Sequence, residues 1–154
     1  MDVIAQRNVQ VRWMIRRDMD HVMAIERASF SDPWSEEEFL CCLRQKNTIG
    51  RVAEINYQIV GYMIYELHKR VVRIANFAVD PEYRRQDIGT AMLASLKERI
   101  DHRRSTITAE IRDSNLTAHQ FFAANDFLAL SVLPQYFLNG EDAYRFECQV
   151  RRSA

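Results

Sequence analysis

The residues best placed to do chemistry in this 154-residue chain are Arg84-Arg85-Gln86-Asp87-Ile88-Gly89, a basic turn between an apolar run and an amphipathic stretch. The run Asn76-Phe-Ala-Val79 reads as a strand, and a helix follows the turn. Strand, turn and helix start together present free backbone N–H groups and a positive helix end to an anion, so the spacing predicts a pyrophosphate cradle. Metal chemistry has no comparable signal. Cys41, Cys42 and Cys148 show no Cys-x-x-Cys spacing, and His21, His68, His102 and His119 are scattered without a ligand pattern.

The elements that must position the cradle fit one globular domain over residues 1–154, with residues 1–8 as a loose lead-in, since this length at 47% hydrophobic content can bury its own core. Equal numbers of basic and acidic residues, 21 each, give no chain-wide attraction to nucleic acid or anionic membrane. The first residues lack a basic segment followed by an apolar run, and no stretch approaches the roughly 20 apolar residues that span a bilayer. A reduced cytoplasmic protein without a metal is the expectation.

Along the chain, Val9–Ile15 alternates as a half-buried strand does, and Asp18 is placed to cap a helix whose face is Met19, Val22, Ile25 and Ser29. That helix ends near Phe30, before Pro33. Ser35-Glu-Glu-Glu38 is a capping box that opens a second helix with Phe39, Leu40 and Leu43 as its buried stripe. A hairpin follows, residues 51–55 and 59–67 around Asn56-Tyr57, and then the nearly continuous apolar run 71–79 of a central strand. Ile88, Met92, Leu93, Leu96 and Ile100 line one face of a third helix, residues 106–111 form a strand, and Asn115 caps a fourth helix. Residues 127–133 and 143–150 complete the chain as two strands around a long loop. The order β-α-α-β-β-β-α-β-α-β-β, with a crossover from 71–79 to 106–111, gives an α/β (α+β) fold with a mixed sheet and two neighbouring parallel strands.

Five segments, in this order, carry a resemblance: Pro33-Trp-Ser-Glu36, Asn76-Phe-Ala-Val-Asp-Pro-Glu-Tyr-Arg-Arg-Gln86, the cradle itself, Glu110-Ile-Arg-Asp-Ser-Asn115 and Gly140-Glu-Asp-Ala-Tyr144. Together they resemble the GNAT N-acetyltransferase superfamily, most closely the ribosomal-protein alanine N-acetyltransferases (RimI-like), over about Val11 to Val150. The resemblance implies acetyl transfer from acetyl-CoA, without a metal, to a protein N-terminal amine. It also implies that the two parallel strands splay at about Ala75–Val79 and Thr108–Ile111. Backbone groups of Phe77, Ala78 and Val79 would meet the pantetheine arm, and Arg84, Arg85, Gln86, Asp87, Ile88, Gly89 and Thr90 the pyrophosphate, with Asn115 near the pantetheine. Glu110 would act on the amine through ordered water; the other reading is a carboxylate facing solvent or paired with Arg112 or Arg145. Tyr136 and Tyr144 would frame the peptide N-terminus, with Phe30 and Trp34 on the opposite wall. The other reading of these aromatics is loop anchoring.

Three positions depart from the family pattern. Asp87 stands where the first glycine is expected, so its carboxylate would repel a pyrophosphate and positive φ becomes harder to reach. Phe122 stands at the cofactor-facing position where relatives place a tyrosine that protonates the departing thiolate, and phenylalanine has no proton to give. Tyr136, Tyr144 or water would have to substitute. Asp126 replaces a glycine at a left-handed helix end. These departures leave two other functions open: transfer to a small-molecule amine, and an acyl-CoA-binding module without turnover. Phe121 is expected in the core, Cys148 is excluded as a nucleophile, and His119 is expected on a solvated helix surface.

Overall fold

The computed structural model describes residues 8–150, so the lead-in expected over residues 1–8 lies outside the described residues except for Asn8. The elements follow the expected order: β1 (Gln10–Trp13), α1 (Met19–Ser29), α2 (Glu36–Leu43), β2 (Thr48–Ile55), β3 (Gln58–Leu67), β4 (Val71–Val79), α3 (Ile88–Arg99), β5 (Thr106–Arg112), α4 (Leu116–Ala124), β6 (Leu128–Leu133) and β7 (Ala143–Gln149). Two units divide the chain, one comprising residues up to Glu66 plus Asn76–Arg99, the other Leu67–Ala75 plus residues from Ile100 onward. Strand β4 contributes its first residues to the second unit and its last residues to the first.

In the first unit β1, β2 and β3 form an antiparallel meander. The β2–β3 connection is Asn56-Tyr57, with φ of 51° and 67°. Positive φ at both residues matches the twist of the flanking strands, which is why a two-residue loop suffices. Ser35 opens α2 as read: its hydroxyl accepts from Glu38 N at 3.1 Å while the Glu38 carboxylate accepts from Ser35 N. Phe39 is fully buried, but Leu40 and Leu43 are only half-buried, so one side chain anchors this short helix. Burying a ring of that size stabilises by about 1.5–3 kcal/mol. Gly61 in β3 faces a close approach, because a Cβ there would lie 3.0 Å from the Ala78 carbonyl and 3.0 Å from Met92 Sδ. All five residues read as the α3 stripe, from Ile88 to Ile100, are buried.

Asp18 stands at the N-cap of α1, as expected, but its side chain makes no capping hydrogen bond to that helix. Its carboxylate accepts from Ile15 N at 2.8 Å and from both terminal nitrogens of Arg12, at 2.8 and 2.9 Å, which closes a 3-10 turn ahead of the helix. Burial alone would raise the Asp18 carboxyl, but the Arg12 and Ile15 hydrogen bonds hold it below its ordinary 3.8.

In the second unit the strand order is β4-β5-β7-β6. Strand β5 pairs antiparallel with β7 from Thr106↔Gln149 to Arg112↔Ala143. The parallel ladder of β4 with β5 runs from Val71↔Thr106 to Ile74↔Ala109 and stops before Ala75 and Glu110, the next residues in register. Thr108 and Ala109 are thus still paired, where the splay was expected to begin.

Candidate active site

Glu110 follows the last residue of β5 that pairs with β4, and its side chain is only 6% exposed. Alternation along the strands sets the face. Thr108 pairs with Arg73 on β4, and Glu110 pairs with Arg145 on β7, so Arg73, Thr108, Glu110 and Arg145 share one face of the second unit. Arg73 Nε donates to Glu110 Oε1 at 3.0 Å, and an Arg145 terminal nitrogen lies 3.6 Å from the same oxygen. The other oxygen, Oε2, is buried without a hydrogen-bond partner among the described residues. One carboxylate oxygen is thus paired, and the second makes no hydrogen bond among the described residues. A buried acceptor without a partner is costly, by about 1–3 kcal/mol.

Arg73 also donates to the Tyr136 hydroxyl at 3.3 Å, so Tyr136 and Glu110 share one guanidinium. The sequence reading missed Arg73. Its signal was an arginine in the middle of a nearly continuous apolar strand, where a charge is unexpected without a partner. Arg145, weighed only as a competitor for Glu110, forms the weaker contact. Tyr144 is not brought to this face: it neighbours Arg145 in β7, so it points the opposite way, and its ring stands edge-on to His119 at 5.2 Å. His119 is half-buried rather than fully solvated. It contacts the Arg112 carbonyl through Nε2 at 2.9 Å and packs its ring against Phe146.

Asn115 caps α4, its side-chain oxygen accepting from Ala118 N at 3.2 Å. Phe122, expected on the cofactor side, is 3% exposed with its ring against Phe121, Phe127 and Phe146. Phe121, the one expected in the core, is half-buried. The helical turn gives the deeper position to Phe122 because it faces the packed side of β7. Asp126 adopts φ 71°, the left-handed helix end that its place in the pattern required.

In the first unit the cradle residues form a tight turn into α3. Arg85 and Asp87 both have positive φ, 63° and 60°. Asp87 thus adopts the unusual φ that the missing glycine demanded; aspartate tolerates it better than most residues. The Asp87 carbonyl accepts from Ala91 N at 3.1 Å, which makes α3 begin at Ile88, so Ile88 and Gly89 are buried helix residues and not members of the turn. The N–H groups of that first turn have no acceptor within the helix, and no acidic residue lies in it. Alternating left-handed residues followed by a helix N-terminus present backbone N–H groups of the kind that suits an anion. The Arg84 side chain turns back instead: Nε donates to the Val79 carbonyl at 3.2 Å and a terminal nitrogen to Ser29 Oγ at 3.0 Å. Arg85 and Thr90 are exposed, and Gln86 keeps a buried Oε1 without a partner among the described residues. Of the β4 backbone groups expected to meet pantetheine, Phe77 N donates to Asn76 Oδ1 at 2.8 Å, and the Val79 carbonyl takes Arg84.

Phe30 ends α1, half-buried, and Trp34 stands edge-on to Phe39 with centroids 5.0 Å apart. Trp34 N donates to Glu26 Oε2 at 2.8 Å. Among the described residues no three His, Cys, Asp or Glu side chains are grouped to hold a metal, and no helix is long and apolar enough to cross a membrane.

This chain matches the family model described as Acetyltransferase (GNAT) family over residues 19–127. An uncharacterised N-acetyltransferase of Methanocaldococcus jannaschii is 31% identical over 135 residues, covering 86% of each chain. An N-alpha-acetyltransferase of Sulfurisphaera tokodaii is 28% identical over 141 residues, covering 82% of this chain and 84% of its own. The crystal structure of the ribosomal-protein-S18-alanine N-acetyltransferase from Escherichia coli superposes with a TM-score of 0.82 at 23% identity, over 96% of this chain and 97% of that one. The chain therefore belongs to the acetyltransferase (GNAT) family, as an acetyl-CoA-dependent N-acetyltransferase.

Proposed function

We propose that this protein transfers the acetyl group of acetyl-CoA directly to the N-terminal α-amino group of a protein, with Glu110 as a base acting through water. The whole chain, residues 1–154, would serve as one acetyltransferase domain. The observation that carries the reading is Glu110: a buried carboxylate with Oε1 held by Arg73 and Oε2 unpartnered among the described residues. Arg73 holds Oε1 in place and leaves the second oxygen open to accept. The relative from Sulfurisphaera tokodaii, an N-alpha-acetyltransferase, supports an N-terminal amine as acceptor.

An α-amino group has a pKa near 7.7–8.0, so a fraction of it is neutral at cellular pH and the base has a modest task. The neutral nitrogen attacks the thioester carbon, the C–S bond breaks, the amine's proton passes through water to Glu110, and the thiolate takes a proton. Phe122 cannot supply that proton. Tyr136 shares Arg73 with Glu110 and is the better-placed hydroxyl, because Tyr144 faces the opposite way. The cradle at Arg85–Gly89 would hold the pyrophosphate through backbone N–H groups. Asp87, Ile88 and Thr90 would contribute there through their backbones, and Arg84 through the shape of the turn. The reading places the protein in a reducing, cytoplasmic setting, with Cys41, Cys42 and Cys148 in no disulfide among the described residues.

The test is a panel of peptides beginning with Ala, Ser or Met, incubated with acetyl-CoA, with free CoA and peptide mass both followed. Acetylated peptide with stoichiometric CoA supports the proposal. Turnover only on small amines would move the acceptor class, and acetyl-CoA binding without turnover on any amine would make the chain a binding module.

A further inference from the structure

Glu26 is a buried acid that the chemistry above leaves unused. It lies near the end of α1 and is 1% exposed. Three uncharged donors satisfy it: the Tyr62 hydroxyl on β3 and Asn76 Nδ2 on β4 (2.7 Å) at Oε1, and Trp34 N at Oε2 (2.8 Å). Burial, and then the neighbouring Glu26 charge, push the Tyr62 hydroxyl upward, so Tyr62 remains a donor. An ionised carboxylate without a cation in such a place costs several kcal/mol unless every lone pair is met, and an apolar residue would pack α1 without that cost. What the carboxylate adds is direction: each oxygen fixes a different segment.

Those segments are the ones assigned to the two substrates. Oε2 fixes the backbone of Trp34, in the wall expected to meet the acceptor. Oε1 fixes the Asn76 amide in one orientation, with its nitrogen toward Glu26 and its oxygen toward Phe77 N. Phe77 opens the stretch expected to meet pantetheine. Ser29, on the same helix face, receives Arg84 of the cradle turn. The spacing of Val22, Glu26 and Ser29, at i, i+4 and i+7, already places the three on one stripe.

We infer that Glu26 is a positioning residue that sets the acceptor wall at Trp34 in register with the cofactor strand at Asn76–Phe77. This rests on the proposed function, because only that reading gives Trp34 an acceptor to meet. Glu26→Gln keeps the shape but turns one acceptor into a donor facing donors. In a Trp13→Phe background Trp34 is the single tryptophan. The expected result for Glu26→Gln is a peptide KM raised about tenfold or more, kcat and acetyl-CoA affinity within about twofold, and acrylamide quenching of Trp34 increased at least twofold, where tenfold in KM corresponds to about 1.4 kcal/mol. Unchanged KM and unchanged quenching, with only a lowered Tm, would reduce Glu26 to a structural residue and overturn the inference. Tyr62→Phe removes one donor and keeps the ring, so it serves if Glu26→Gln does not fold: a KM rise and increased quenching support the inference, and wild-type values of both overturn it. The quenching arm needs no turnover, so it separates failure of this inference from failure of the N-terminal acetyltransferase reading.

Discussion

Arg73 Nε donates to Glu110 Oε1 at 3.0 Å, and this pair fixes how much of the carboxylate is left for chemistry. One oxygen is committed and the other is buried and unpartnered among the described residues. Arg73→Met should leave Glu110 as a buried charge without its main partner. Truncating one member of a buried charged pair costs about 2–5 kcal/mol, and here the lower end applies because Arg73 is 30% exposed. Steady-state kinetics should show kcat/KM reduced by at least tenfold, with Arg73→Lys recovering some of it. Wild-type kinetics for Arg73→Met would mean that the pair has no role in the reaction.

Phe122→Tyr is a direct check on the missing acid. With only family position to go on, a tyrosine there should raise the rate. The packed surroundings argue otherwise, since a hydroxyl at a 3% exposed position among Phe121, Phe127 and Phe146 enters an apolar cluster. The expected outcome is a loss of about 1–3 kcal/mol in stability with no gain in kcat. A tenfold gain in kcat would show that the hydroxyl reaches the thiolate.

Asp87→Gly removes a carboxylate from the cradle and relieves a residue at φ 60°. Both effects favour the bound anion, so calorimetry should show acetyl-CoA binding a few-fold tighter, on the order of 0.5–1 kcal/mol. Weaker binding would show that the aspartate side chain orders the turn.

Asp18 gives a pH dependence of stability. Its carboxyl is held below its ordinary value, chiefly by Arg12 and the Ile15 N–H against the opposing effect of burial. A depressed folded-state pKa contributes stability that is present above about pH 4 and is lost as pH falls further. Asp18→Asn should lower stability at pH 7 by about 1–2 kcal/mol and flatten the acid side of the stability profile, as followed by denaturant unfolding. An unchanged acid limb would place the acid sensitivity elsewhere.

Local chemistry made much of the fold legible. The Ser35–Glu38 capping box, the Asn56-Tyr57 turn, the apolar run of β4 and the α3 stripe all lie where residue types and spacing put them, because each is decided within a few residues. Asn115 as a cap and Asp126 at positive φ belong to the same class. The contacts that define the site are of another kind. Arg73 meets Glu110 only through the register of a parallel ladder, which no local pattern encodes. Tyr136 and Tyr144 look equivalent as nearby aromatics, yet alternation in β7 turns Tyr144 to the α4 side. The Asp18 side chain pairs with a strand arginine six residues earlier instead of capping its helix. Glu26 reads as a polar residue beside Ile25, and only the three donors converging on it reveal a buried acid.

The most direct measurement of the central claim is acetyl transfer to peptides beginning with Ala, Ser or Met by the wild type and by Glu110→Gln, with acetyl-CoA affinity measured in parallel. The account predicts N-terminally acetylated peptide and matching CoA release from the wild type, with turnover reduced by about 10²-fold in Glu110→Gln at nearly unchanged acetyl-CoA affinity. Wild-type turnover in Glu110→Gln would remove Glu110 from the mechanism, and no acetylated N-terminus from any peptide would contradict the proposed function.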